Sequence, residues 1–397
     1  MLLDRWNEVL ARKTDVIAFR SPGNDAGTTF GEIDRMACGI DISGEFVPTI
    51  GSSPDFFPSL IAAWRAGKPA LLLETGKCAP RPILCEIPPG TALIKQTCGA
   101  SGISRSLFFG NAQVLAEGEN NLNGLGLHED RPGLAAISLA HSYGFGCLAL
   151  PLVLAGVPLE ITAGAMPMFL QPGLDRHPQV FLPGVPAMWK TWHQTGITAH
   201  PAISLAISAG SPLSLDLEQS IHSENGLRIR NFYGTSETGA IAFDNSGSPR
   251  VRASFVGNLL PGIAAETGTS GRISVTTPAR ATGSDTAAWE NEFATPAYLT
   301  LDQGEISGSK VHLARCIGAA INVAGRKVSP ARLEAIIKSL EGVASAYIER
   351  GLSRDFERFE EIRAHITLLP GHDKKQIREQ LRQRLESWEM PRQWEFQ

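Results

Sequence analysis

Short apolar runs alternate with amphipathic runs over most of the chain. The segment DFFPSLIAAWRAG puts Phe57, Leu60, Ile61 and Trp64 on one helical face and stops at Gly67. PALLLE follows as a buried strand, and ALIKQ and SLFF read as strands on either side of a loop of small residues. LAAISL (134–139) reads as a strand ending at AHSYGFG, and LEITA, QVFLPG, SLAISAG and LRIRNFYG read as further strands. SPLSLDLEQSIHS reads as a helix with a serine start signal. This alternation predicts an α/β fold with mainly parallel sheets and flanking helices. The opening MLLDRWNEVLARKTD carries Asp4 and Glu8 inside its apolar period, so it reads as an amphipathic helix and not as a signal peptide.

After about residue 250 the texture changes to Gly/Thr/Pro-rich short strands, as in GRISVTTPARATG. From residue 316 the order reads strand, helix, strand, strand, helix. SPARLEAIIKSL has Ser329 as helix cap and Pro330 at the first helical position, and DKKQIREQLRQRLESW is the last helix. The expected organisation is a large domain over 1–315 and a small, mobile α+β domain over 316–397.

Composition narrows the function classes. An apolar content of 43% over 397 residues is ample for a large core. The net charge of −4 gives no general pull toward nucleic acid or an anionic membrane, and the basic run KKQIREQLRQR fits the solvated face of a helix. The six cysteines form no CxxC pair and have no histidine at metal-ligand spacing, so a reducing cytoplasm is the expected setting. The longest apolar stretch, LALPLVLAGVPLEI, is broken by turn chemistry and is too short for a membrane span.

Two stretches carry candidate chemistry. QTCGASGISRSLFF holds small hydroxyl and thiol side chains and one cation, Arg105, between two strands. Backbone N–H groups of such a turn can cradle phosphate oxygens, although a Gly/Ser turn by itself is usually a plain hairpin. It is no Walker loop, because no G-K-[ST] and no helix follow. NFYGTSETGAIAF ends a strand at Tyr233, turns at Gly234, and places Thr235, Ser236, Glu237 and Thr238 at the strand's C-terminal end, where α/β sheets bind ligands. A carboxylate there suits Mg²⁺, and the bland alternative is a polar surface turn.

Together these stretches resemble the adenylate-forming superfamily: acyl-CoA synthetases, aryl acid–CoA ligases and peptide synthetase adenylation domains. TCGASGISR looks like the family's T-S-G-T-T-G-x-P-K phosphate loop, and YGTSETG closely resembles its Y-G-x-T-E motif. HSYGFG, GVPAMW, ISAGSPLS, VGNLLPG, YLTLD and INVAGRKVSPARLE resemble further family segments in the family's order, over roughly residues 90 to 340.

The resemblance implies the following roles. Thr97, Ser101, Gly102 and Arg105 would surround the ATP β- and γ-phosphates, Ser236 would touch the α-phosphate, and Glu237 would bind Mg²⁺. Gly210, Ser211 and Tyr233 would flank adenine, and Asp302 would accept the ribose hydroxyls with Arg315 nearby. His141, Tyr143, Cys147, Ala209, Gly234, Ala240 and Ile241 would line the acyl pocket, and Gly325 would lie beside the pantetheine tunnel. Taken singly, His141 reads as a hydrogen-bonded structural histidine, Cys147 as helix packing and Arg315 as a surface charge.

The implied activity is ATP-dependent activation of an apolar acid, aryl or medium-chain acyl, with transfer to coenzyme A or to the phosphopantetheine thiol of an acyl carrier protein. Several departures bear on it. Arg105 replaces the loop lysine and Ser104 the proline, YLTLD lacks an arginine and a glycine, and Cys316, Ile317 and Gly318 stand where an acidic hinge residue is expected. ESWEMPRQWEFQ resembles the segment before the family's C-terminal lysine, which has no counterpart here. The expectation is impaired adenylation. The alternatives are a degenerate, non-catalytic nucleotide or acyl binder serving as a scaffold in a biosynthetic complex, or a lysine supplied by a partner chain.

Overall fold

The computed structural model describes residues 1–74, 82–98, 104–286, 293, 295–316, 320–353, 360–369 and 371–396. A thirteen-stranded sheet runs through the large part of the molecule. Its parallel portion pairs Ile203–Ser208 with Val180–Gly184 on one side and with Ile229–Thr235 on the other. Val180–Gly184 and Ile203–Ser208 are buried at all but one position because both of their faces are covered. Beyond Ile229–Thr235 the sheet turns antiparallel, through Gly239–Phe243, Phe255–Leu259, Lys310–Cys316 and Tyr298–Ser307. The site lies at this change of direction.

A second, five-stranded sheet contains Ala70–Leu73, Thr91–Cys98 and Ser104–Gly110, the last two forming an antiparallel hairpin. The strand after the small-residue loop is therefore as expected, and residues 99–103 of the loop itself lie outside the described residues. Helix Phe56–Arg65 forms as its pattern predicts, but it is buried on every side except at Arg65. The N-terminal helix Leu2–Lys13 turns Leu2, Trp6 and Val9 into the core.

One expected strand is cut short. The strand is Gly133–Ala135, so only Leu134 and Ala135 of LAAISL belong to it. The chain then turns, with the Ala136 N–H donating to Leu134 O and the His141 N–H donating to Ser138 O. The close approach of Gly144 to Ser138 O fixes this turn, since a Cβ at Gly144 would lie 2.1 Å from that oxygen.

The C-terminal part has its own core, built on Ile321, Val328, Leu333, Ile337, Ile348, Ala364, Ile377 and Leu381. It contains the hairpin Ile321–Val323/Arg326–Val328, helix Pro330–Lys338, a three-stranded sheet and helix Lys374–Arg384. The Ser329 hydroxyl accepts from the Arg332 N–H, which is the cap its sequence predicts. Among the described residues no helix is long and apolar enough to cross a membrane.

Candidate functional site

Strand Ile229–Thr235 ends in the turn Thr235–Thr238 and returns as Gly239–Phe243. The turn is tight. A Cβ at Gly234 would meet Gly239 O at 2.5 Å, and Gly239 has φ +68°, so glycine is required at both positions. The turn presents Ser236 and Glu237, and the Thr235 and Thr238 hydroxyls bond each other at 3.0 Å. The Ser236 hydroxyl accepts from the Ser142 hydroxyl at 3.0 Å, which ties the turn to the HSYGFG segment.

Glu237 faces Arg105. The Arg105 Nη2 donates to Glu237 Oε1 at 2.7 Å and to the Tyr298 hydroxyl at 3.0 Å, and both charged side chains are buried. Tyr298 begins the strand that carries Asp302, and Asp302 Oδ2 accepts from the Tyr233 hydroxyl at 2.8 Å. Two hydrogen-bonded groups therefore lie side by side, Arg105 with Glu237 and Tyr298, and Tyr233 with Asp302, with Tyr298 and Asp302 on one strand. The family resemblance assigns Arg105 and Glu237 to the phosphate end and Tyr233 and Asp302 to the nucleoside end.

The remaining sequence candidates fall around these groups. Ser101 and Gly102, and the side chain of Arg315, lie outside the described residues. The hydroxyls of Thr97, Ser208 and Ser211 are buried with no hydrogen-bond partner among the described residues. Buried hydroxyls without partners are costly, and a polar ligand such as a nucleotide would satisfy them, so the residues present fit ATP. Arg105 occupies Glu237 Oε1, which leaves Oε2 as the oxygen that would hold a Mg²⁺ brought in on the nucleotide phosphates; among the described residues no group of three His, Cys, Asp or Glu side chains forms a metal site by itself.

The acyl-side candidates are apolar. Ala209, Ala240, Ile241 and Cys147 are buried. Burial pushes the Cys147 thiol well above its ordinary range, which makes it an inert apolar side chain and not a nucleophile. Cys147 sits in a π-helical turn, Phe145–Ala149, that continues into helix Leu150–Ala155. Tyr143 stacks on Phe232 and donates to Gly184 O and Ile207 O, so its hydroxyl is spent on the ends of two strands. Burial raises that phenol well above its usual value. The His141 Nδ1 accepts from the Tyr143 N–H and caps the short turn Ser142–Gly144. Burial lowers the His141 pKa, the Glu74 carboxylate opposes this, and the Arg326 and Lys95 cations reinforce it.

The C-terminal hairpin closes over the site. Gly210 (φ +84°) and Gly325 (φ +87°) meet backbone to backbone, and a Cβ at Gly210 would lie 3.0 Å from the Gly325 Cα. Asn322 bridges them, its Nδ2 donating to Gly210 O at 2.8 Å while its Oδ1 accepts from the Gly325 N–H at 2.9 Å. Ala324, at φ +49°, holds a left-handed turn that a Cβ disfavours. Arg326 pairs with Glu74 at 3.3 Å and stacks over Trp388 at 3.6 Å from the ring centre.

Sequence reasoning assigned no role to Tyr298, Asn322, the Arg326–Glu74 pair or the buried pair of Lys95 and Glu117. In that last pair Nζ donates to both carboxylate oxygens, at 3.0 and 2.8 Å. Its one signal is a charged residue inside an otherwise apolar strand, ALIKQ.

No family model matches the sequence, and a search of curated proteins finds no match. Solved structures do match over the whole chain. A double mutant of o-succinylbenzoate CoA synthetase from Bacillus subtilis, bound with its product analogue, is 16% identical with a TM-score of 0.82, covering 99% of this chain and 94% of that one. The same enzyme in complex with AMP is 17% identical over the same shares, with a TM-score of 0.68. The amide bond synthetase from Marinactinospora thermotolerans is 15% identical with a TM-score of 0.77, covering 100% of this chain and 95% of that one. At these identities the likeness establishes the fold, which is that of the adenylate-forming acyl- and aryl-CoA synthetases.

Proposed function

We propose that this chain is an AMP-forming acid–thiol ligase. A carboxylate attacks the α-phosphorus of ATP, giving an acyl-adenylate and pyrophosphate. A thiol then attacks the acyl carbon, giving a thioester, AMP and a proton. The observation that carries this reading is the pair of hydrogen-bonded groups, Arg105 with Glu237 and Tyr298, and Tyr233 with Asp302, which brings the strand after the phosphate loop, the T-S-E-T turn and the Asp302 strand to one place.

In this reading Thr97, Arg105 and the loop containing Ser101 and Gly102 hold the polyphosphate, which enters as the magnesium salt of ATP. Ser236 addresses the α-phosphate, Gly210, Ser211 and Tyr233 flank adenine, and Asp302 accepts the ribose hydroxyls, with Arg315 beside it. Fixed donors and cations aimed at the charge that develops on the phosphorus oxygens lower the barrier to attack. Ala209, Ala240, Ile241, Cys147 and Gly234 favour an acid with an apolar body, and His141 and Tyr143 line the same pocket. His141 acts there as a neutral imidazole, since burial disfavours its charge.

A thiol acceptor is supported by the docked hairpin with Gly325 against Gly210, and by the higher superposition on the product-analogue complex than on the AMP complex. We place the boundary of the small domain at 315/316. Pyrophosphate release over a panel of aryl and medium-chain acids, with and without coenzyme A, tests the reading, with mass spectrometry of the product. Acid-dependent pyrophosphate release and an acyl thioester are expected. Nucleotide binding with no pyrophosphate release from any acid would favour the non-catalytic scaffold, a reading that the neutralised Glu237 also supports.

A further inference from the structure

We propose that Asp285 is a positioning residue for the phosphate end of the site: its buried carboxylate grips the peptide that follows Arg105 and so sets the reach of that guanidinium toward Glu237 and the polyphosphate. This rests on the ligase reading for the identity of the ligand, but the contacts themselves are geometry. Arg105 and Glu237 belong to different sheets. Arg105 lies on Ser104–Gly110 of the five-stranded sheet, and Glu237 on the turn that ends Ile229–Thr235 of the thirteen-stranded one. Residues 281–285 cross between them. The Ala281 N–H donates to the Glu237 backbone carbonyl at 2.8 Å. The Thr282 N–H and hydroxyl both donate to Phe108 O, at 2.8 and 3.0 Å, and Gly283 and Ser284 pair with Phe108 and Leu107 as a short antiparallel strand.

Asp285 completes this staple. Its Oδ1 accepts from the Ser106 N–H at 2.7 Å, its own N–H donates to Ser106 O at 3.1 Å, and its Oδ2 accepts from the Leu84 N–H at 3.3 Å. The Ser106 N–H lies in the rigid peptide plane that begins at the Arg105 Cα. Holding that plane fixes where the Arg105 side chain starts. The grip is firm, because Asp285 is 5% exposed and Ser106 is fully buried, and a carboxylate that accepts a backbone N–H away from water makes a charge-assisted bond. The Arg105 bonds to Glu237 and Tyr298, at 2.7 and 3.0 Å, are lost if that starting point moves by much. Asp285 thus acts through Arg105, while Ala281 holds the backbone of the partner carboxylate.

Two readouts test the proposal. In the first, which needs no ligand, the coupling between Arg105 and Glu237 is measured in urea denaturation by a double-mutant cycle of Arg105→Met and Glu237→Gln. The coupling is expected to fall to about half or less when every member of the cycle also carries Asp285→Ala. In the second, ATP and AMP affinities are measured by calorimetry in Mg²⁺. In the ligase reading Arg105 addresses the β- and γ-phosphates, which AMP lacks. Asp285→Ala is therefore expected to lose about tenfold or more for ATP and less than about threefold for AMP, and Asp285→Asn, which keeps an acceptor for the Ser106 N–H, to stay within about threefold for both. An unchanged coupling overturns the proposal. Equal losses for ATP and AMP also overturn it, since they would make Asp285 a residue of the fold alone. If Asp285→Ala does not fold, Asp285→Glu, which keeps the charge and moves the carboxylate by a methylene, takes its place in both readouts with the same expectations. Failure of the wild type to bind either nucleotide overturns the ligase reading instead, and the ligand-free cycle still decides this one.

Discussion

Two buried ion pairs lie close to the site, and they differ in what surrounds them. Lys95–Glu117 is sealed. Both side chains are 2% exposed, and the ammonium lies 4.7 and 5.7 Å from the ring centres of Phe109 and Phe145. The backbone presses on it, since a Cβ at Gly146 would lie 3.0 Å from Glu117 Oε1 and one at Gly239 would lie 3.2 Å from its Cγ. Arg105–Glu237 is buried too, though less deeply, and is embedded in polar groups: Tyr298 on the same guanidinium, and Ser236 next along the turn. Burial alone therefore does not mark a working pair. The sealed pair lies behind the glycine at the end of the T-S-E-T-G turn and fixes its position, while the other stands among the groups that the ligand motifs supply.

Breaking each pair on one side separates these roles. The largest effect is expected at the sealed pair. Glu117→Leu leaves Lys95 buried without a carboxylate and should lower stability by roughly 3–5 kcal/mol in urea denaturation. Adding Lys95→Met should recover most of that loss, because two apolar side chains can replace a sealed pair. A single-variant loss below about 1 kcal/mol would show that the pair is not desolvated.

Glu237→Gln keeps an acceptor for Arg105, so stability should fall by only about 1–3 kcal/mol. Acid-dependent pyrophosphate release should fall by roughly 10²–10³. Unchanged turnover in this variant would remove Glu237 from the chemistry.

A smaller effect is expected from pH. His141 has a lowered pKa in the folded protein, first through burial. The unfolded chain therefore binds its proton at a higher pH than the folded chain does. The His141 contribution is flat above about pH 6.5, and stability is lost as pH falls from there toward the lowered folded value. His141→Asn should flatten that slope in melts between about pH 7 and 5. An unaltered slope would assign the acid sensitivity to other groups.

The smallest effect should come from the hairpin's ion pair. Arg326 and Glu74 are each about 30% exposed, so Arg326→Ala should cost only about 0.5–1 kcal/mol, with some of the loss from the Trp388 stack. Its readout is thiol transfer from a supplied acyl-adenylate, slower in the variant and less salt-sensitive than in wild type. Equal rates would show that the pair does not hold the hairpin.

Local chemistry made much of this molecule legible in its sequence. The turn after Tyr233, the capped helix at Ser329 and the strand after the small-residue loop all rest on signals within a few residues of one another. The strand expected over 134–139 was overextended because its apolar run continues past the point where Ser138 O is claimed by His141 and approached by Gly144. Long-range pairing was not legible. Lys95 announces a partner by its charge, but nothing local selects Glu117 on the following helix. The joining of Arg105 to Tyr298 spans 193 positions and exists only once two sheets meet. The ligand motifs could be named one by one from their residues, whereas the ion pair that neutralises Glu237 could not.

The meeting of Gly210 with Gly325 has a consequence for how this surface can change. A contact between two main chains is blind to which side chains flank it. What it demands is the absence of bulk at two points, and Asn322 supplies hydrogen bonds to backbone atoms that every residue carries. Such a seam transmits position without reading composition. The surrounding residues are free to drift while the docking distance stays fixed, so a methyl group at Gly210, which would meet the Gly325 Cα at 3.0 Å, acts as a wedge under the small lobe.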